Sequence, residues 1–160
     1  MERVATKGNV IAVANLGDLA VQVCGRDWDD ELWREYCEMI VGYVRRFGVP
    51  RVLFNFAPYH GPNASQRQIL VEEYAERIGL NRIRRNALIS DSRVVRGVMI
   101  ALSWLSPEER AAVTKPFALR DHEKAFAWLA EDTPFDRREA DRIFHELLAV
   151  VGYDPAILRG

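Results

Sequence analysis

The chain has 160 residues, of which 49% are hydrophobic and 28% charged, and its formal net charge is -1. These values are typical of one globular domain, so we expect a single domain over residues 1–160. The near-neutral charge gives no general attraction to nucleic acid or to anionic membranes. No apolar run approaches the roughly 18 residues of a membrane span, and the N-terminus has no signal-like apolar core, so we expect a cytoplasmic protein.

Helices and strands are predicted to alternate along most of the chain, which is typical of an α/β fold. Apolar runs predict a mixed sheet of about five strands, at residues 9–14, 19–24, 52–57, 83–90 and 115–119. The first two strands should form an antiparallel hairpin around Gly17, and the later strands should be parallel because helices join them. Helical spacing predicts the helices that pack on this sheet, at about residues 29–47, 63–79, 92–102, 122–130 and 135–151.

Residues that favour helix N-termini predict where several of these helices begin. Asp27 or Asp29 should cap the first helix, and Asp121 should cap the helix that follows it. Thr133 should cap the last helix, with Pro134 at its first position, because proline is well tolerated there.

The predicted centre of the fold is the stretch at residues 49–66, VPRVLFNFAPYHGPNASQ. Its apolar run is typical of a strand buried on both faces, and the chain then breaks at Pro58 and passes through a loop into a helix. Asn63 or Ser65 should cap that helix, each with a Gln three residues later as a capping-box partner. Because α/β proteins usually place working residues in such loops, we interpret it as a partner-binding or regulatory site. Its candidate residues are Tyr59, His60, Asn63, Ala64 and Ser65.

Three segments of the chain resemble the STAS domain, the fold of the anti-sigma-factor antagonists. The first is AVQVCGRDWDDELW, the second is RVLFNFAPYHGPNASQRQILV, and the third is NRIRRNALISDSRVVRGVMIALSWL followed by TKPFALRDHEKAFAWLAE. They resemble, in turn, the family's second strand and first helix, the strand that ends in its Asp-Ser-Ser/Thr-Gly loop, and its last strands with the closing helix. The resemblance covers about residues 9–131 and leaves residues 133–160 as a C-terminal helical extension.

The resemblance implies a non-enzymatic bacterial module of regulation or signalling that needs no cofactor. Such a module would bind a partner protein, and neither nucleic acid nor membrane, through the loop at residues 59–66 and the helix after it. When this loop is placed on the family loop, Ala64 takes the place of the phosphorylated Ser and Gln66 that of the Gly. The resemblance therefore implies a degenerate phosphorylation loop.

Two other functions remain open for the same loop. Its hydroxyl, imidazole and amide groups lie beside the N–H groups of a helix start, which makes it a candidate site for a small anionic ligand or nucleotide. Arg93 or Arg96 would then add an anion-binding guanidinium group. Alternatively, Asp91 after the neighbouring parallel strand could orient His60 to activate Ser65, as in a small hydrolase-like enzyme.

The same residues also have a structural interpretation. Asn63 and Ser65 can satisfy the N–H groups of the helix that they begin. The locally basic segment can form a solvated face that pairs with nearby acids such as Glu72, Glu73 and Glu76. That segment contains Arg82, Arg84, Arg85, Arg93 and Arg96.

No metal site is predicted from the sequence. His122 and His145 lie on predicted helices without a partner at ligand spacing, and three scattered histidines do not make a metal site. Cys24 and Cys37 also lack metal-ligand spacing, and we expect both to be small buried hydrophobes.

The predicted C-terminal helix has a broad apolar face. Left exposed, this face would form an apolar patch of several hundred Å², which is large for a soluble monomer. The helix could fold back over its own sheet or pair with its copy in a second subunit. Because four other predicted helices are already available to cover the sheet, we expect a homodimer. The face consists of Ala140, Ile143, Phe144, Leu147, Leu148 and Val151.

Overall fold

The computed structural model of the chain describes residues 2–7, 11–24, 29–47, 51–55, 63–78, 85–94, 96–97, 114–131 and 134–154. These residues form one six-stranded sheet whose strands follow one another in chain order. The strands are β1 (Glu2–Lys7), β2 (Ile11–Leu16), β3 (Leu19–Cys24), β4 (Arg51–Asn55), β5 (Arg85–Ile89) and β6 (Thr114–Phe117). The α-helices with described bounds are α1 (Asp30–Phe47), α2 (Ala64–Ile69), α3 (Ala75–Ile78), α4 (His122–Leu129) and α5 (Arg137–Val150). A π-helical turn (Leu70–Tyr74) joins α2 to α3, and a 3-10 turn (Leu119–Asp121) precedes α4.

The sheet is antiparallel at its N-terminal end and parallel beyond it. β1, β2 and β3 pair antiparallel, whereas β3, β4, β5 and β6 pair parallel. The predicted α/β class is therefore confirmed, but the predicted strand number is wrong. The additional strand is β1, ERVATK, whose mixed polar sequence contains no apolar run. It forms because a strand at the end of a sheet is held by backbone pairing to one neighbour and needs no continuous apolar surface.

The predicted hairpin around Gly17 is confirmed, although β2 lies at Ile11–Leu16 in place of the predicted 9–14. β3 has the predicted bounds, and Gly17 in the turn adopts a φ of 59°, a conformation that glycine favours. The predicted strand at 115–119 ends earlier, because Leu119 enters the 3-10 turn and its N–H donates to Asp91 Oδ1 at 3.0 Å. Pro116 is compatible with β6, since a strand at the end of a sheet tolerates a residue without an N–H.

The predicted helix caps are confirmed for α1 and wrong for α4. Asp29 caps α1, because its Oδ1 accepts the Leu32 N–H at 2.8 Å. Asp121 makes no side-chain cap bond, and its carboxylate pairs instead with Lys124 Nζ at 2.6 Å. The 3-10 turn before α4 already gives the first N–H groups carbonyl partners, so a side-chain cap is not required there.

α1 covers one face of the sheet. Gln22 of β3 is buried, and its Oε1 accepts a hydrogen bond from the Tyr36 hydroxyl of α1 at 2.8 Å. Alternate residues of a strand share a face, so Ala20 and Cys24 lie on the same side as Gln22. Burial raises the pKa of the Cys24 thiol and raises that of Cys37 to about 12, so both thiols stay neutral. The prediction that both are small buried hydrophobes is confirmed.

The C-terminal helix packs in the core of its own chain, on the opposite face of the sheet. α5 begins at Arg137 and is capped by Asp136, whereas Thr133, the predicted cap, lies outside the described residues. The buried side of α5 packs against β2, β3 and α4. The premise of the expected homodimer, that four other helices already cover the sheet, is therefore wrong, and the homodimer itself stays a prediction. The residues of α5 that are at most 2% exposed are Ala140, Ile143, Phe144, Leu147 and Leu148.

The strand order explains why α5 is needed there. Successive parallel strands are added in the same direction along the sheet. Right-handed crossovers that advance in one direction place their helices on the same face. In agreement with this, α1 contacts both α2 and α3. The other face of the sheet is consequently left for α4 and α5. The number of predicted helices alone does not show which face each helix covers.

Truncation of one core side chain of α5 tests this packing. Leu148→Ala should lower the free energy of unfolding by about 2 to 5 kcal/mol, because it removes a fully buried side chain and leaves a cavity. Val71→Ala is the control, since Val71 is 67% exposed and its change should stay within about 0.5 kcal/mol. Urea denaturation measures both values. A wild-type-like Leu148→Ala variant would contradict the burial of α5.

Candidate functional site

The start of α2 is closed by its own side chains. Asn63 Oδ1 accepts the Gln66 N–H at 2.9 Å, and Gln66 Oε1 accepts the Asn63 N–H at 3.0 Å. This reciprocal pair is the capping box that the sequence predicts, with Asn63 as the cap. Two N–H groups at this helix start are therefore already satisfied. Tyr59 and His60, the other predicted members of this site, lie outside the described residues.

An acidic side chain lies against the predicted regulatory serine. Ser65 is exposed, and its hydroxyl donates to Asp30 Oδ2 at 2.7 Å. The serine thus joins the start of α2 to the start of α1 and does not cap its own helix. A carboxylate at this distance repels anions, so the local charge disfavours a phosphate or another oxyanion at Ser65.

Two exposed ion pairs hold the helical segment 64–78 against α1. Arg34 donates to both carboxylate oxygens of Glu73, at 3.2 and 3.1 Å, and Arg77 donates to both oxygens of Glu38, at 2.6 and 2.7 Å. The hydrogen bond from Arg77 lowers the pKa of Glu38. Exposed pairs contribute little stability, but bidentate geometry fixes the orientation of the helices they join. The segment therefore presents a defined outer surface, with Val71 of the π-helical turn 67% exposed.

The residues proposed for a hydrolase-like relay have separate structural partners. Asp91 Oδ1 accepts the Leu119 N–H at 3.0 Å, as given above, and thereby anchors the 3-10 turn. Ser90 is buried, and its hydroxyl oxygen accepts the Ser92 N–H at 3.3 Å. Ser65 bonds to Asp30, so the described contacts of the serine and of Asp91 do not bring the two together. Ser65 and Asp91, the described residues of this relay, therefore have structural roles.

The basic segment pairs with a different acid from those expected. Arg85 donates hydrogen bonds to Glu131 Oε2, at 2.7 Å, and to the Trp128 carbonyl oxygen. Its Cζ atom lies 4.9 Å from the centre of the Trp128 ring. Glu73, one of the acids expected to neutralise this segment, pairs with Arg34 of α1 instead. The reason is strand alternation, which places Arg85 on the α4 face of the sheet, on the same side as the buried residues of β5 that pack against α4.

The two arginines predicted to bind an anion differ in their contacts. Arg96 donates to the Ser90 carbonyl oxygen and so closes the turn after β5. Arg93 is exposed at the start of a helical turn. Arg82 and Arg84 lie outside the described residues. One predicted anion ligand, Arg96, thus already has a structural role.

The structure brings together three side chains that the sequence interpretation left apart. His122 Nε2 lies 3.1 Å from Asp141 Oδ1, and His145 Nε2 lies 3.6 Å from Asp141 Oδ2. His122 begins α4, whereas Asp141 and His145 are one turn apart on α5. The statement that neither histidine has a partner at ligand spacing is therefore wrong for His145. The spacing of Asp141 and His145, four residues apart on a helix, was the available signal.

Removal of the cap tests the structural part of this site. Asn63→Ala should lower the free energy of unfolding by about 1 kcal/mol, because it leaves N–H groups at the start of α2 without their side-chain partner. Ser65→Ala is the control, since it removes an exposed hydrogen bond and leaves the capping box intact, and should change stability by less than about 0.5 kcal/mol. Chemical denaturation compares the two. An Asn63→Ala variant as stable as wild type would show that the cap does not stabilise this helix.

Comparisons with protein-family models, with curated proteins and with solved structures found no match to the chain. Among the described residues, no helix has the length and apolar character needed to cross a membrane. The function is therefore inferred from the residues and contacts given above.

Proposed function

We propose that the chain is a STAS-like regulatory or signalling module that binds a partner protein through the start of α2 and the helical surface that follows it. The order of elements supports this proposal. After β1, the antiparallel pair β2 and β3 is followed by α1, β4, α2 and α3, β5, β6 and α4. Among the described elements this order agrees with the one that the resemblance to the STAS domain implies, apart from β1 before it and α5 beyond it. The helix predicted at residues 92–102 lies only in part within the described residues.

One observation carries the proposal: the start of α2 is exposed and its polar groups are paired within the chain. Asn63, Ala64 and Ser65, at the start of α2, are all exposed. The capping box and the bond from Ser65 to Asp30 use polar groups that a small ligand would need. A saturated, exposed helix start suits contact with another protein surface better than enclosure of a small molecule.

The same contacts make the two alternatives weaker. A small anionic ligand would meet the carboxylate of Asp30 beside Ser65, and Arg96 is engaged with the Ser90 carbonyl oxygen. A hydrolase would need Ser65 and Asp91 to act together, yet their described hydrogen bonds lead to Asp30 and Leu119. Binding of a partner protein does not require any of these hydrogen bonds to break.

The proposed binding surface runs along one side of the helical segment 64–78. Ala64, Gln68 and Val71 are separated by four and three residues, so they lie on one side of a helix. All three are exposed. Gln68 supplies a polar contact, and Val71, which is 67% exposed, supplies an apolar one. Because Ala64 has no hydroxyl and Ser65 faces Asp30, partner binding does not depend on a phosphate in this loop.

Capture experiments with surface variants test the proposal. The full chain is immobilised and proteins from its source cells are captured and identified by mass spectrometry. Ala64→Arg and Val71→Arg should each abolish capture of the same partner, because a long charged side chain obstructs the contact. Ala149→Arg is the matched control, since Ala149 is an exposed alanine on α5, and it should retain the partner. Ser65→Ala should also retain it.

Two results would contradict the proposal. Equal capture by wild type, Ala64→Arg and Val71→Arg would place any binding surface elsewhere on the chain. Loss of the partner in Ser65→Ala would show that binding requires the hydroxyl or a phosphate on it, and so would restore a phosphorylation switch. Unfolding curves of all variants ensure that only folded proteins are compared.

A further inference from the structure

We propose that His122, Asp141 and His145 bind one divalent transition-metal ion of the Zn²⁺ type, which joins the start of α4 to the first half of α5. The three residues each offer one ligand atom, and these atoms all lie within 4.8 Å of one another. They come from two helices that pack together on one face of the sheet. This site is separate from the start of α2 and is independent of the proposed partner binding.

The hydrogen bond of His122 fixes which of its nitrogens can bind a metal. Nδ1 lies 3.0 Å from the carbonyl oxygen of Leu119. Because a carbonyl oxygen only accepts, Nδ1 carries the proton, and the lone pair of the neutral ring is on Nε2. Nε2 is the atom that lies 3.1 Å from Asp141 Oδ1. A lone pair and a carboxylate at this distance repel each other, so the arrangement calls for a cation between them.

That cation could be a second proton on His122 or a metal ion, and the geometry of Asp141 favours the metal. Its Oδ1 atom is buried and receives no hydrogen bond, although His122 Nε2 is close. Bonds of about 2.1 Å at a tetrahedral angle hold ligand atoms about 3.4 Å apart. The two carboxylate oxygens of Asp141 face one histidine each, with Oδ1 3.1 Å from His122 Nε2 and Oδ2 3.6 Å from His145 Nε2, and both distances are close to this value.

The surroundings of His122 hold its ring in place for coordination. Its proton on Nδ1 goes to a backbone carbonyl, which is the usual outer partner of a metal-binding histidine. One face of the ring stacks on Phe144, with ring centres 5.5 Å apart and planes at 29°. Phe144 in turn packs edge to face against Phe126 of α4. A preformed ligand of this kind loses little conformational freedom when the metal binds.

The donor atoms indicate the class of metal. Two imidazole nitrogens and one carboxylate suit Zn²⁺ and its neighbours among the divalent transition metals, whereas Mg²⁺ and Ca²⁺ prefer oxygen ligands alone. Three protein ligands leave at least one position of a four-coordinate ion for water or another ligand. The side chains of Asp141 and His145 are 36% and 37% exposed, so an ion can reach them from solvent.

Binding measurements with Zn²⁺ on the full chain test the proposal. After chelator treatment and dialysis, wild type should take up one Zn²⁺ per chain in a competition titration against a chromophoric chelator. His145→Ala and Asp141→Asn should each weaken binding by more than the 10- to 100-fold that loss of an outer partner costs, because each removes a ligand. His60→Ala, which removes a histidine from the loop at residues 59–66, is the matched control and should bind as wild type does. Zn²⁺ should also raise the melting temperature of wild type and of His60→Ala, but not of the two ligand variants.

Three results would overturn the proposal. The first is the absence of Zn²⁺ binding to wild type at micromolar concentration, which would leave a protonated His122 paired with Asp141. The second is unchanged affinity in both ligand variants, and the third is loss of binding in His60→Ala. If Asp141→Asn fails to fold, His145→Ala still decides the matter, because His145 is partly exposed and outside the buried set of α5.

Discussion

The burial of α5 against the face of β2 and β3 is the contact on which the rest of the structure depends. The sheet is built in chain order, so α1, α2 and α3 gather on one face and leave the other face to α4 and α5. Ile143, Phe144, Leu147 and Leu148 of α5 are almost completely buried on that face. The C-terminal extension therefore completes the core. The sequence suggested instead that this helix is added to a domain whose core is already complete.

This arrangement puts the two candidate sites on opposite sides of the sheet. The exposed start of α2 belongs to the α1 side, where Ser65 and Asp30 link the two helices. The cluster of His122, Asp141 and His145 belongs to the other side, where it exists because α4 packs against α5. A metal ion there would act on the helices that complete the core, and so could alter stability without touching the partner-binding surface.

Local signals in the sequence predicted local structure well. An apolar run located β3, the glycine at 17 located the hairpin turn, and the Asn63 and Gln66 pair located a capping box. Each of these features depends on residues within one turn or one strand, so a short stretch of sequence is enough to predict it. Asp121 failed as a cap for the converse reason, because a 3-10 turn supplied by neighbouring backbone took over its role.

Features set by tertiary packing could not be predicted in the same way. β1 has no apolar pattern and forms by pairing with β2. Arg85 pairs with Glu131, which is 46 positions away in sequence, because strand alternation places Arg85 on the α4 face of the sheet. The spacing of Asp141 and His145 was visible in the sequence, but the third ligand, His122, joins them only through the contact of two helices.

The most direct test of the account is to remove α5 by ending the chain at Glu131. Losing the four large side chains of α5 at about 2 kcal/mol each or more would cost roughly 8 kcal/mol, which is comparable with the whole stability of a domain, about 5 to 15 kcal/mol. Urea denaturation and sedimentation of the truncated chain should therefore show no cooperative unfolding, and aggregation in place of a defined species. A truncated chain that unfolds cooperatively, as a monomer or as a dimer, would contradict the role of α5 in completing the core.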